Sequence, residues 1–154
     1  MNNVINIFRA NYLSLEEHIE NIILARDKMK ESLYEFIDAI RMASEQLPPK
    51  TFQNELCSKL SMTKFVLSKW ISISNSEFIK SNLSNLPTCF SSLYTITLIE
   101  KKFQERYKSS PNEEIQYLIK SGRITKQSER IELEEILRRI SQDIRLSEAI
   151  KRSR

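Results

Sequence analysis

Three lysines and several small polar residues share one stretch of the chain that carries no carboxylate. Lys59, Lys64 and Lys69 are cationic, and no acidic residue occurs between Glu55 and Glu77. A helix that enters a groove of nucleic acid lies between two rows of phosphates, so it needs few acids and retains small polar side chains. The chemistry that these residue types permit is therefore binding to double-stranded DNA.

The same stretch, QNELCSKLSMTKFVLSKWIS, has the residue pattern of a helix-turn-helix. That pattern needs an aliphatic and then a small residue where two helices cross, and an apolar residue that closes the core at the end of the first helix. It also needs an inward residue in the turn, a cap on the second helix, and apolar residues three apart that face back. The residues that fill these places are Leu56, Cys57, Leu60, Met62, Thr63, Leu67 and Trp70, with Leu67 and Trp70 expected to face Leu56 and Leu60. Ser61 stands where glycine is commonest, and a left-handed conformation there costs a serine roughly 1 kcal/mol.

The outer face of the second helix carries the side chains expected to contact DNA. Four of them recur at i, i+3, i+4 and i+7, which places them on one stripe opposite Leu67 and Trp70. At the start of the helix, side chains could bind phosphate and base edges, and a phenyl ring could touch thymine methyl groups. The candidate DNA-binding residues are Lys59, Thr63, Lys64, Phe65, Ser68, Lys69 and Ser72. Lysines on a solvated helix face are common in any helical bundle, so the ordered set of interior residues carries the interpretation.

The composition argues against most enzyme classes and for a helical protein. The 154 residues include 24 Lys and Arg against 20 Asp and Glu, and only one glycine, Gly122. Folds with many tight turns or phosphate-cradling loops use several glycines, so we expect long helices joined by short polar turns. The single His18 and the two cysteines, Cys57 and Cys89, are too few and too scattered for the usual zinc spacing. We expect no catalytic residue, no metal and no cofactor.

Targeting and compartment are predicted from what the sequence does not contain. No apolar run approaches the ~20 residues that span a bilayer, and the first residues lack an apolar core of signal-peptide length. Two lone cysteines form no disulfide framework, which favours a reducing compartment. We therefore expect a soluble cytoplasmic protein, associated with the nucleoid and without a membrane partner.

A long amphipathic helix is predicted before the two prolines at 48 and 49. Ser14 and Glu17 form a capping box, apolar residues recur every three or four positions from 15 to 47 apart from Arg26, and Pro48 ends the helix. At ~1.5 Å per residue this helix is roughly 50 Å long, more than the ~40 Å diameter of a compact chain of this size. It therefore either pairs with another chain or bends to pack in its own bundle. The candidate dimerisation residues are Ile22, Met29, Leu33, Phe36 and Ile40.

The remaining chain is also predicted to be helical, and the whole chain is predicted to fall into three parts. Thr51 and Thr63 are expected to cap two short helices, Asn75 or Ser76 a third, and Gly122 to end a later one. The last helix, from about 128 to 151, is basic, since residues 120 to 154 hold ten Lys or Arg against six acids. The fold class is all-α, with a long amphipathic helix over residues 1–48, a multi-helix domain with the helix-turn-helix over 49–124, and a basic C-terminal helix over 125–154.

Residues 52 to about 124 resemble the DNA-binding region of the ParB/KorB-type proteins of plasmids and phages. The resemblance is carried by FQNELCSKLSMTKFVLSKWISIS, by the Leu-Pro break and Leu-Tyr pair in LSNLPTCFSSLYTIT, and by EEIQYLIKSGRIT. It implies a helical, sequence-specific and usually dimeric DNA binder that acts in partition or transcriptional repression. The nucleotide-binding domain of full partition proteins has no counterpart here, which favours a small regulator.

Two functions remain open from the sequence. The first is a homodimeric regulator that docks two recognition helices in successive major grooves of a palindromic site. The second is a helical adaptor that binds a protein partner through the apolar stripe of its first helix, with the helix-turn-helix as a scaffold.

Overall fold

In the part of the chain that the structure describes, all regular elements are helices and there is no strand. A computed structural model describes residues 15–107 and 112–153, apart from the side chains at 15–23, 25–26, 51–52, 107, 112, 146–147 and 149–150. The elements are α1 (Leu15–Gln46), α2 (Pro49–Lys59), α3 (Lys64–Ser74), α4 (Glu77–Asn82), a 3-10 turn (Leu83–Asn85), α5 (Phe90–Tyr107), α6 (Asn112–Lys120) and α7 (Arg130–Arg152). The predicted all-α fold class is confirmed. The predicted capping residue Ser14 and the side chains of Glu17, His18 and Arg26 lie outside the described residues.

Local signals account for the ends of α1 and α2. The first helix ends at Gln46, before Pro48, as predicted from the restriction that proline places on the residue before it. Pro49 is the first residue of α2, a position that tolerates its fixed φ and its missing N–H. The prediction that Thr51 caps this helix is wrong, because the helix already begins two residues earlier.

Side-chain caps begin α3 and α4, and a glycine follows the end of α6, as predicted. The Thr63 hydroxyl accepts a hydrogen bond from the backbone N–H of Val66 at 3.2 Å, at the start of α3. The Ser76 hydroxyl accepts one from the N–H of Ile79 at 3.1 Å, so Ser76 rather than Asn75 caps α4. Gly122 follows α6 with a φ of +72°, the left-handed conformation that glycine adopts at little cost.

The chain divides into two compact units between Leu33 and Tyr34. The C-terminal unit, residues 34–154, holds the second part of α1 together with α2 to α7. Helix α5 lies at its centre and packs against α3, α4, α6 and α7. Its inner face is buried and carries Leu93, Ile96, Ile99 and Phe103. Because α5 supports α3 directly, it determines which face of α3 remains accessible.

The last helix packs along α5 through its heptad positions. Four apolar residues recur there at heptad spacing: Leu133 and Ile140 are buried, and Leu137 and Ile144 are half-buried. Its basic character is partly neutralised within the helix, where Glu135 contacts two arginines and Arg130 contacts Glu134. Among the described residues, no helix has the length and apolarity that a bilayer span requires.

Candidate nucleic-acid interface

Helices α2 and α3 form a pair around one apolar cluster. Leu67 of α3 is fully buried at its centre, together with Ile40 of α1. The half-buried residues packed against these two are Phe36, Ala43, Leu56, Cys57, Met62, Trp70 and Ile71. Five of the predicted interior positions of the helix-turn-helix therefore meet in one core: Leu56, Cys57, Met62, Leu67 and Trp70.

The prediction that Leu60 closes this core is wrong. Leu60 follows the last residue of α2, its backbone N–H still bonds to the Leu56 carbonyl, and 48% of the residue is exposed. Met62, two residues later, closes the interior instead, and its N–H donates to the Cys57 carbonyl at 3.0 Å. The chain has already begun to turn at Leu60, so this residue lies outside the contact between the two helices.

The turn between α2 and α3 contains a serine in the left-handed region. Ser61 has a φ of +50° and is the one non-glycine residue with a positive φ in the described part of the chain. A residue with a Cβ atom pays roughly 1 kcal/mol for this conformation. The left-handed conformation expected at this position is therefore observed, with a serine in the place where glycine is commonest.

Trp70 holds α3 between two other elements. Its ring lies 4.9 Å from the ring of Phe36 in an edge-on arrangement, and 4.6 Å from the ring of Phe90 in a tilted one. Aromatic pairs in such geometries add ~0.5–1.5 kcal/mol each beyond the area they bury. Because Trp70 faces α1 and α5, the opposite side of α3 is directed to solvent.

The solvent side of α3 carries the side chains that the stripe predicts. Phe65 is 70% exposed, and Thr63, Lys64 and Ser68 are exposed as well. The half-buried Ser72 donates its hydroxyl to the Ser68 carbonyl at 3.1 Å. These residues form one surface with Lys69, and we refer to Thr63, Lys64, Phe65, Ser68, Lys69 and Ser72 together as the α3 outer face.

Lys59 lies apart from that surface, on the last turn of α2. Its ammonium is 3.8 Å from a carboxylate oxygen of Glu55, and both side chains are exposed. An exposed pair of this kind is worth little, ~0–1 kcal/mol, because water competes for both charges. Lys59 is therefore still available to an anionic partner at the edge of the α2–α3 pair.

Lys69 is held between two aromatic rings. Its Nζ atom lies 4.2 Å from the centroid of Phe65 and 4.7 Å from the centroid of Tyr94, which belongs to α5. Both distances are within the ~6 Å over which an ammonium is attracted to the face of a ring. The spacing of residues along α3 predicts Lys69 on the outer face but gives no sign that Tyr94 lies beside it. The Leu-Tyr pair of α5 was visible in the sequence, without any indication of what the tyrosine faces.

A carboxyl group from α5 borders the C-terminal end of the outer face. A cleft of about 240 Å³ lies there, lined by Ser72, Asn75, Ser76, Thr97, Glu100, Lys101 and Gln104. Glu100 is buried and accepts a hydrogen bond from the Ser76 hydroxyl at 2.6 Å. Burial raises the pKa of Glu100 above its ordinary value, and the Ser76 hydrogen bond offsets part of that rise. A carboxyl from α5 therefore lies beside the acid-free stretch of sequence, and burial disfavours the charged form of that carboxyl.

Glu135 of α7 forms ion pairs with two arginines of the same helix. Hydrogen bonds from Arg138 and Arg139 lower the pKa of Glu135 to about 2, so this carboxylate is a weak base. Glu135 also lines a cavity of about 670 Å³ between α5, α6 and α7, whose apolar wall includes Phe103 and Ile140.

Among the described residues, no three His, Cys, Asp or Glu side chains are grouped so that they could hold a metal ion.

The candidate dimerisation residues lie in different surroundings along α1. Met29 is 73% exposed and Leu33 is half-buried. Phe36 and Ile40 pack into the cluster around Leu67, within the chain's own core. Ile22 belongs to α1, but its side chain is outside the described residues. Of the four candidates whose side chains are described, Met29 offers the most accessible apolar side chain to a second copy.

The chain was compared with known proteins at three levels. No family model, no curated protein and no solved structure matches it. Its function is therefore inferred from the geometry of the α2–α3 pair and from the chemistry of the α3 outer face.

Proposed function

We propose that this protein binds double-stranded DNA in a sequence-specific manner, as a dimeric regulator of the plasmid or phage type or as a partition-related factor. One observation carries the proposal. After the left-handed turn at Ser61, α3 buries one face in the core and presents the opposite, acid-free face to solvent, as the second helix of a helix-turn-helix pair does. This is the geometry in which a recognition helix enters a groove.

The dimensions and chemistry of α3 fit the major groove. Eleven residues give a helix of about 16 Å, and the groove is about 12 Å wide, so two to three turns can lie against base edges. Lys64 and Thr63, at the start of α3, are placed to contact phosphates. Phe65 presents an apolar ring to thymine methyl groups, and Ser68 and Lys69 can reach donors and acceptors on the bases.

Dimerisation completes the proposal, because one α3 contacts only a short half-site. Leu24 and Met29 are exposed apolar side chains of the N-terminal unit, which is formed by residues up to Leu33. Burial of one such side chain stabilises an interface by about 1.5–3 kcal/mol, so a few of them in each copy can hold two chains together. The two recognition helices then contact a palindromic site.

The decisive experiment is selection from random-sequence DNA, followed by titration of the selected site at several salt concentrations. The wild-type protein is expected to enrich one motif and to bind it at physiological salt well above the non-specific level. Lys69→Ala and Ser68→Ala should each weaken binding by ~1–3 kcal/mol and leave the fold intact. Lys126→Ala is the matched control, since it removes the same charge from an exposed residue between α6 and α7.

Two results would contradict the proposal at different points. If both α3 variants bind the selected site like the wild type, α3 is not the reading helix. If the wild-type protein selects no motif, the DNA-binding function fails. In that case the exposed Leu24 and Met29 favour the second candidate, an adaptor that docks a protein partner on α1. A monomer in sedimentation at tens of micromolar would support this adaptor further.

A further inference from the structure

Helix α5 contributes a side chain to the α3 outer face, although it is not part of the helix-turn-helix. The Lys69 ammonium lies over the ring of Tyr94, with its Nζ atom 4.7 Å from the ring centroid. Tyr94 is half-buried, and its neighbours Leu93 and Thr95 are buried. The tyrosine ring is therefore attached to one of the most firmly packed segments of the C-terminal unit.

The two aromatic partners of Lys69 differ in how firmly they are held. Phe65 is one helical turn away on α3 and 70% exposed, so it can change rotamer when a partner binds. Tyr94 belongs to a different helix, and the packing of α5 against α3 determines its distance from Lys69. Tyr94 is the partner that can keep the lysine side chain in one orientation before DNA arrives.

We infer that Tyr94 is a positioning residue that holds the Lys69 ammonium for recognition of a guanine in the major groove, an inference that rests on the proposed DNA-binding function. Lysine is a compact charge on a flexible stem of four carbons, and ordering that stem costs entropy. A ring that orders it in the free protein removes part of this cost from binding. Guanine is the base that presents two acceptors, N7 and O6, to a cationic side chain.

The test of positioning uses the free protein and needs no DNA. A methylene group beside an ammonium that lies over a ring is shielded by the ring current, so the ε-CH₂ proton resonances of Lys69 should lie upfield of those of Lys64. Lys64 is the matched reference, because it is an exposed lysine on the same helix. Tyr94→Leu should reduce the upfield shift, whereas Tyr94→Phe, which keeps the ring, should preserve it. Lys69 resonances at the Lys64 position in the wild type would overturn the inference.

The test of recognition compares binding to the selected site with binding to the same site carrying another base pair in place of its guanine. Wild type should prefer the guanine by roughly five- to 150-fold, the range of a good lysine–guanine contact. Tyr94→Leu should weaken binding to the guanine site by about two- to fivefold, from the strength of an exposed cation–π contact. Tyr94→Phe should bind like the wild type, and a thermal melt checks that each variant is folded.

The double variant separates positioning from a general structural effect. Lys69→Met with Tyr94→Leu should bind no more weakly than Lys69→Met alone, because the tyrosine acts only through the lysine. The inference would be overturned if the losses of affinity from the two single changes multiply in the double variant. It would also be overturned if Tyr94→Leu prefers the guanine site as strongly as the wild type does. If the wild type selects no motif at all, the proposed function and the guanine assignment fail together. The resonances of Lys69 then still decide whether Tyr94 positions it.

Discussion

Replacement of Trp70 by alanine is expected to destabilise the C-terminal unit by about 3–5 kcal/mol, as large-to-small changes at aromatic core positions do. The Trp70 ring makes two aromatic contacts, at 4.9 Å to Phe36 and at 4.6 Å to Phe90. Together these pairs account for about 1–3 kcal/mol, and the remainder comes from the apolar area and the cavity beside Leu67. Because Trp70 is half-buried, the loss should lie near the lower end of this range.

A thermal melt followed by far-UV circular dichroism measures this effect, since the variant lacks the chain's one tryptophan. A loss of 3 kcal/mol should lower the Tm of a unit of this size by about 10 °C. Phe65→Ala is the matched control, because it also removes a ring from α3 but at a position 70% exposed, and it should change stability by less than about 0.5 kcal/mol. A Trp70→Ala protein that melts within a degree or two of the wild type would refute the role assigned to Trp70.

Three further outcomes follow from the structure. Ser61→Gly should raise the free energy of unfolding by up to about 1 kcal/mol in urea titration, whereas Ser61→Ala should not, because only glycine relieves the positive φ. Burial raises the pKa of Glu100, so the contribution of this carboxyl to the stability of the folded protein is complete below the ordinary carboxyl pKa and is lost as pH rises through the pKa of the folded state. The Tm of Glu100→Gln relative to the wild type should therefore increase from about pH 4 upward. A difference in Tm that does not change with pH would contradict this. Met29→Asp should convert the proposed dimer to monomers in sedimentation without lowering the Tm of the C-terminal unit, and an unchanged sedimentation coefficient would place the interface elsewhere.

The ends of the helices were largely predictable, because caps and breaks depend on residues within one turn. Thr63 and Ser76 each bond to an N–H three residues away, and Gly122 adopts the conformation that its missing Cβ allows. The error at Thr51 has a local cause too, since Pro49 can itself be the first residue of a helix. The stripe on α3 was likewise predictable, because residues three and four apart share one face of any helix.

Burial of single apolar residues was less predictable than the pattern to which they belong. Leu60 and Met62 are both apolar and flank the same turn, yet only Met62 packs into the cluster around Leu67. The periodic stripe of α1 contains both the exposed Met29 and the buried Ile40. A helical period shows which residues share a face, but it does not show which part of that face another element covers.

The sequence by itself determined that the chain is helical, where most of the described helices begin and end, and which side chains lie on the outer face of α3. Each of these properties depends on the chemistry of a few neighbouring residues. Only the tertiary structure decided that Tyr94 lies against Lys69 and that Glu100 borders the same face, because both belong to α5 and lie more than twenty residues from their partners along the chain. Their distances are determined by how α5 packs on α3, and packing of two helices depends on the whole apolar core that they share.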